Sequence, residues 1–89
     1  MHIPASQSLK DRRRVLRSLI ERTGKKFAVS VAEVGGQDTW QYAEVGVSVV
    51  SSTSGHAREV LDEVVRFIEG FTPEAIVTQV DLDVIPFEN

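Results

Sequence analysis

Four basic residues near the front of the chain have the types and spacing to do chemistry. They are Lys10, Arg13, Arg14 and Arg17. At about 100° per residue of an α-helix, their side chains fall within an arc of about 100°, so they form one cationic strip. Rigid arrays of Lys and Arg bind phosphate oxygens. The pattern predicts contact with RNA or the ribosome, and the alternatives are a solvated helix face or pairing with acidic residues of the same domain.

The charge of the chain is strongly asymmetric. Residues 1–26 contain eight basic and two acidic residues, a net charge of +6, and the remaining 63 residues have a net charge of −9. Arg12 differs from its neighbours because its helical angle places it among the apolar residues on the other side of the helix. Its side chain must therefore either extend along that apolar surface to solvent or form an ion pair with a carboxylate. We expect a structural ion pair with Glu33, Asp38 or Glu44.

Other residues that could support chemistry do not form a catalytic pattern. His2 and His56 are far apart in sequence and lack the matched carboxylates of metal sites and proton relays. The glycine pair at 35–36 leads into a strand, whereas a P-loop opens a helix. Asp81 and Asp83 share a strand face, which more often means solvation than Mg²⁺ binding. The sequence predicts no catalytic residues, metal, cofactor or small-molecule substrate, and therefore a protein that is not an enzyme.

Length and composition favour one globular domain spanning residues 1–89. The chain is 42% hydrophobic and 26% charged, with a formal net charge of −3. It contains no cysteine, which excludes disulfides and thiolate metal sites and fits a reducing compartment. Charges stand where a signal peptide would need its apolar stretch, and no apolar run is long enough to cross a membrane. We expect a cytoplasmic protein with no membrane contact.

Two helices are expected. Ser8 begins a shortened capping box that places the first helix near Leu9, and Gly24 is expected to end it in the left-handed conformation. Residues 52–54 all suit the N-cap of a second helix, whose apolar residues follow helical spacing until Gly70.

Alternating apolar and polar residues predict three strands. They cover residues 27–34, 40–50 and 76–84, and the first two are joined by a turn at the glycine pair. The stub His2-Ile3 precedes the first helix. The predicted order of helix, strand, strand, helix, strand is one strand short of a ferredoxin-like βαββαβ sandwich, an α+β fold with two helices on one face of an antiparallel sheet.

The missing strand matters because the first strand of that fold lies between the third and the fourth. Three arrangements are open: the given chain starts inside its first strand, another copy supplies the strand, or the sheet rearranges. We favour the first, with a short residual strand at His2 and Ile3. The strands at 40–50 and 76–84 should then not pair directly with each other, because each would lie beside the missing first strand.

The open face of the predicted sheet suits a different partner. Its central positions hold small residues, Ala32, Gly46 and Ser48, which offer no platform for stacking RNA bases. Small residues do permit close approach of another surface. Assembly as a homodimer through this face or an edge strand, with Trp40 and Tyr42 as anchors, is therefore the alternative function.

Three runs of sequence carry a resemblance to a known family. They are SLKDRRRVLRSL at 8–19, VSVAEVGGQDTWQ at 29–41 and GVSVVSS at 46–52. On these runs the chain resembles the YlxP-like family, small bacterial proteins of unknown function. The resemblance implies a ferredoxin-like fold and a first strand about ten residues longer at the front. It implies no activity, although genes of the family often neighbour those of translation and ribosome-maturation factors.

Overall fold

The computed structural model describes residues 1–3, 9–36, 41–71 and 77–85. Two helices and two strands alternate along this α+β chain. Their bounds are α1 (Leu9–Phe27), β1 (Ser30–Gly35), β2 (Glu44–Ser48) and α2 (Ser54–Glu69). The predicted start of the first helix is confirmed, and its proposed cap, Ser8, lies outside the described residues.

The end predicted for α1 is wrong. The helix continues past Gly24 to Phe27, and Ala28 takes the left-handed exit position with φ of 52°. Phe27 is thereby removed from the predicted strand at 27–34, and β1 begins only at Ser30. The physical reason is tertiary packing, because the Phe27 ring meets the Phe67 ring of α2 edge-on with centroids 5.5 Å apart.

β1 and β2 form an antiparallel ribbon. Ser30 pairs with Ser48 and Ala32 with Gly46, and a register shift between Glu33 and Gly35 marks a bulge. The predicted strand at 40–50 is regular over Glu44–Ser48, and its alternation is confirmed except at Gly46, which is half-buried like Val45 and Val47. Ala43, Val45, Val47 and Val49 are more buried than Tyr42, Glu44 and Ser48.

α2 starts and ends as its sequence predicts. The Thr53 side chain accepts a hydrogen bond from the His56 backbone N–H at 3.1 Å, which satisfies one free donor of the first turn. Gly70 caps the other end, and its N–H donates to the Arg66 carbonyl at 3.2 Å. Val64 and Ile68 are the buried residues of this helix.

The stub at residues 1–3 pairs with the chain as predicted, but as an isolated β-bridge and not as a strand. His2 forms an antiparallel bridge with Tyr42, and the Met1 carbonyl accepts from the Ala43 N–H at 2.9 Å. Ile3 is fully buried, and its N–H donates to the Gln41 carbonyl at 2.8 Å. Burial lowers the pKa of the Met1 amino group from its usual value, and the Glu44 carboxylate opposes that shift.

The strand predicted over 76–84 is wrong for the part described. Residues 77–85 belong to no strand, and residue 76 lies outside the described residues. Within the described parts of the chain, this segment does not pair with β2. Strand assignment requires a ladder partner, and none of the described residues pairs with this segment. The resulting sheet has two strands where four were expected, counting the stub.

Both helices pack on the same side of the ribbon. Leu19 of α1 and Val64 of α2 share one buried cluster with the half-buried Val45 and Val47 of β2. A second cluster joins the stub to the front of α1 and consists of Ile3, Val15, Leu16 and Ala43. This packing leaves the opposite side of α1 exposed to solvent.

Candidate nucleic-acid interface

The four residues of the cationic strip lie together on the outer face of α1. Lys10, Arg13, Arg14 and Arg17 are all exposed, whereas Val15, Leu16 and Leu19 on the inner face are buried. The four basic side chains line one shallow groove along the helix. The helix thus carries the strip away from the core on a rigid support, as the spacing of its residues predicts.

Charge pairing within the domain leaves most of this strip available. Lys10, Arg13 and Arg17 make no ion pair with any residue that the structure describes. Asp11 and Glu21 also line the groove, so the strip is bounded by acidic side chains on the same helix. The arrangement presents several cations to a ligand that carries repeated negative charges.

Two other cations of α1 contact aromatic rings. The Arg22 guanidinium lies 5.5 Å from the centre of the Phe71 ring, and the Lys26 ammonium lies 5.6 Å from the centre of the Phe67 ring. These distances are typical of cation–π contacts, which hold the end of α1 against the end of α2. The cationic strip therefore contains only four of the eight basic residues at positions 1–26.

Arg12 is a buried structural residue, as its helical angle predicts. Its guanidinium forms an ion pair with Glu33, one of the three expected partners. It also donates to the Gly36 carbonyl at 2.8 Å and to the Tyr42 carbonyl at 3.1 Å. Gly36 and Tyr42 flank the connection between β1 and β2. Hydrogen bonds from Arg12 therefore link the two ends of this connection to α1.

The predicted interface anchors are only partly described. Tyr42 is 40% exposed, while its backbone carbonyl is held by Arg12. Trp40 lies outside the described residues. Val34 is 62% exposed on the same face of the ribbon and packs beside Gly46. An anchoring role for Tyr42 and Trp40 stays a prediction.

Sequence reasoning missed one groove, which lies between β2 and residues 77–85. Its volume is about 370 Å³, and its lining includes Val45 and Val47 of β2, Leu61 and Val64 of α2, and Val80. The alternation of apolar and polar residues at 77–84 could have indicated this groove, because it predicts an extended segment that needs a neighbouring strand.

The described part of the chain has neither a metal-binding cluster nor a membrane-spanning helix. Over residues 1–3, 9–36, 41–71 and 77–85, no cluster of three or more His, Asp or Glu residues is positioned to hold a metal ion. In the same part of the chain, no helix combines the length and apolarity needed to span a membrane.

A small α+β protein with a basic outer helix face is the class that this fold and surface define. The chain belongs to the family described as "Protein of unknown function (DUF503)", whose model matches residues 1–82. This membership confirms the resemblance to YlxP-like proteins.

One curated relative is similar over most of the chain. It is the uncharacterized protein YlxP of Bacillus subtilis (strain 168), 42% identical over 64 residues, which are 72% of this chain and 70% of that protein. No solved structure matches the chain. The comparisons thus establish the family and give no activity for it.

Proposed function

We propose that this protein is a non-enzymatic accessory factor that contacts RNA or the ribosome through phosphate groups. The cationic strip of Lys10, Arg13, Arg14 and Arg17 would make the contact. The observation that supports the proposal most is the exposure of Lys10, Arg13 and Arg17, which have no carboxylate partner among the described residues.

The energetics of α1 give a second argument. Basic residues in the first turns of a helix oppose its dipole, at a few tenths of a kcal/mol each. Asp11 in the first turn offsets part of that cost. A phosphate ligand would offset the unfavourable charge of the basic residues at the start of the helix. A ribosomal partner would also place the protein in the cytoplasm.

The strength of RNA binding should depend steeply on salt. Four phosphate contacts give a slope of roughly −3 to −4 for log K against log salt concentration, because each contact releases bound counterions. Measuring affinity for ribosomal RNA over a salt series tests this directly. A slope near zero, or no binding at low salt, would exclude the proposal.

Assembly through the sheet is the second candidate function, and the exposure of Val34 and Tyr42 on one face supports it. Ala32 and Gly46 pair with each other next to Val34 and would let another surface approach closely. Sedimentation over a concentration range tests for a homodimer. A monomer at the highest concentration would remove this candidate.

We also propose the ferredoxin-like arrangement as the complete form of the fold. The stub supports it, since Met1 and Ile3 run antiparallel to residues 41–43 at the position where the first strand of that fold meets the third. Such a fold requires one strand between β2 and residues 77–85.

A further inference from the structure

The cationic strip on α1 is about as wide as it is long. Lys10 and Arg17 mark its two ends, and the rise of an α-helix separates them by about 10 Å along the axis. Arg13 and Arg14 lie about 100° apart around the helix, so side-chain tips about 5–6 Å from its axis are about 8 Å apart. The four exposed cations therefore mark the corners of a rhombus and do not form a single line.

An acidic residue closes the strip at its far end. Glu21 follows Arg17 by one helical turn on the same side of α1, and its exposed side chain lines the same groove. This carboxylate repels any phosphate chain that continues along the helix beyond Arg17. A single RNA strand aligned with α1 would thus pass over Lys10, Arg17 and one of the two cations between them, and would then meet negative charge.

No aromatic ring lines the strip among the residues that the structure describes. The groove is lined by basic and acidic side chains and by Ser18. Phe27, Phe67 and Phe71 pack together at the other end of α1, where all three are half-buried. Proteins that bind single-stranded RNA stack its bases on aromatic side chains. The strip offers charge to phosphates and no platform to unpaired bases.

Double-helical RNA matches both the shape and the chemistry of the strip. In A-form RNA the two backbones approach each other across a deep, narrow major groove, whose base edges side chains cannot reach. Phosphates of both strands therefore border a small area, which a rhombus of cations can contact at once. The bases stay stacked on one another, so the protein needs no ring to hold them.

We propose that the ligand of the cationic strip is double-helical RNA, contacted through phosphates of both strands without reading the base sequence. Arg13 and Arg14, on the two sides of the rhombus, contact opposite strands. Glu21 lies beyond the contact and disfavours single strands that run along the helix. This inference rests on the proposed function and names the class of RNA that the same surface binds.

The test compares two RNAs of equal length, about 24 nucleotides, which carry the same number of phosphates. One folds into a hairpin and the other has an unstructured sequence. Fluorescence anisotropy with the full chain should show at least fivefold tighter binding of the hairpin at about 0.1 M salt. The slope of log K against log salt should be roughly −3 to −4 for the hairpin and about −2 for the single strand, which meets at most three cations. A second hairpin with a permuted stem sequence should bind within twofold of the first.

A conservative variant tests the role of the acidic end. Glu21→Gln removes the charge that stops a single strand, so we expect it to bind the single strand at least threefold more tightly and the hairpin less than twofold more tightly. Glu59→Gln is the matched control, because Glu59 is exposed on α2 and does not line the groove. It removes the same charge and should leave the ratio of the two affinities unchanged.

The possible failures separate this inference from the proposed function. If neither RNA binds at low salt, the proposed function fails and this inference fails with it. If both RNAs bind but the hairpin preference is below fivefold or the salt slopes are equal, only the choice of double-helical RNA is overturned. A difference of more than twofold between the hairpins, or a Glu21→Gln effect that is equal on the two RNAs or matched by Glu59→Gln, would also overturn it.

Discussion

Arg12 and Glu33 form a partly buried ion pair between α1 and β1, although they are 21 residues apart in sequence. The Arg12 side chain is only 4% exposed and that of Glu33 is 22% exposed. Because the same guanidinium also holds the carbonyls of Gly36 and Tyr42, a single residue joins the helix to both ends of the strand connection.

Removing Arg12 should therefore be costly. Arg12→Ala leaves Glu33 charged and two carbonyls without their donor, and we expect the free energy of unfolding to fall by about 3 kcal/mol. Arg12→Lys should recover less than half of that loss, because a single ammonium lacks the planar set of donors. Urea unfolding measures both, with the exposed Arg13→Ala as control, expected within about 0.5 kcal/mol of wild type. Equal losses for the Arg12→Ala and Arg13→Ala variants would contradict this role.

Gly36 should resist substitution for a local reason. Its φ is +78°, and an added Cβ would lie 3.1 Å from both the Tyr42 ring and the Tyr42 carbonyl oxygen. Gly36→Ala is expected to destabilise the fold by about 1–2 kcal/mol. Gly55 is the matched control, since a Cβ there meets nothing within 4 Å and lies in the first turn of α2. Gly55→Ala should be neutral or stabilising by up to about 1 kcal/mol. Chemical denaturation should therefore show a lower free energy of unfolding for Gly36→Ala and an equal or higher one for Gly55→Ala.

Thr23 offers a stabilising substitution. Its side chain is fully buried, and its hydroxyl has no hydrogen-bond partner among the described residues. Thr23→Val replaces the hydroxyl with a methyl group of similar size and should raise stability by about 1 kcal/mol. Thr23→Ala instead leaves a cavity and should lower it. Thermal unfolding distinguishes these outcomes, and a lower melting temperature for Thr23→Val would show that the hydroxyl is satisfied in solution.

The sequence predicted local features well and long-range ones less well. The start of α1, the cap of α2 and the burial of Arg12 follow from spacing and residue type, which are local properties. Pairing of Arg12 with the carbonyls of Gly36 and Tyr42 could not be predicted, because backbone positions near a turn depend on the folded geometry.

The wrong end of α1 and the wrong strand at 76–84 both have tertiary causes. Gly24 has the conformational freedom to end a helix, yet the contact between Phe27 and Phe67 favours another turn of α1. The alternation at 76–84 describes a segment suited to a strand, but a strand forms only beside a partner. For the candidate site, the strip was predictable because helical periodicity alone determines which side chains share a face.

The central claim is that the cationic strip binds RNA phosphates, and a charge-reversal comparison on ribosomal RNA tests it most directly. Arg13→Glu, Arg14→Glu and Arg17→Glu are combined in one variant. The control variant combines Lys25→Glu, Arg58→Glu and Arg66→Glu, which change the net charge equally at exposed positions outside the strip.

We expect the strip variant to lose at least about tenfold in affinity at about 0.1 M salt and most of the salt dependence, because three of four phosphate contacts are reversed. The control variant should keep the wild-type salt slope and stay within about threefold of wild-type affinity. Equal losses in the two variants, or a wild-type protein that fails to bind at low salt, would contradict the claim.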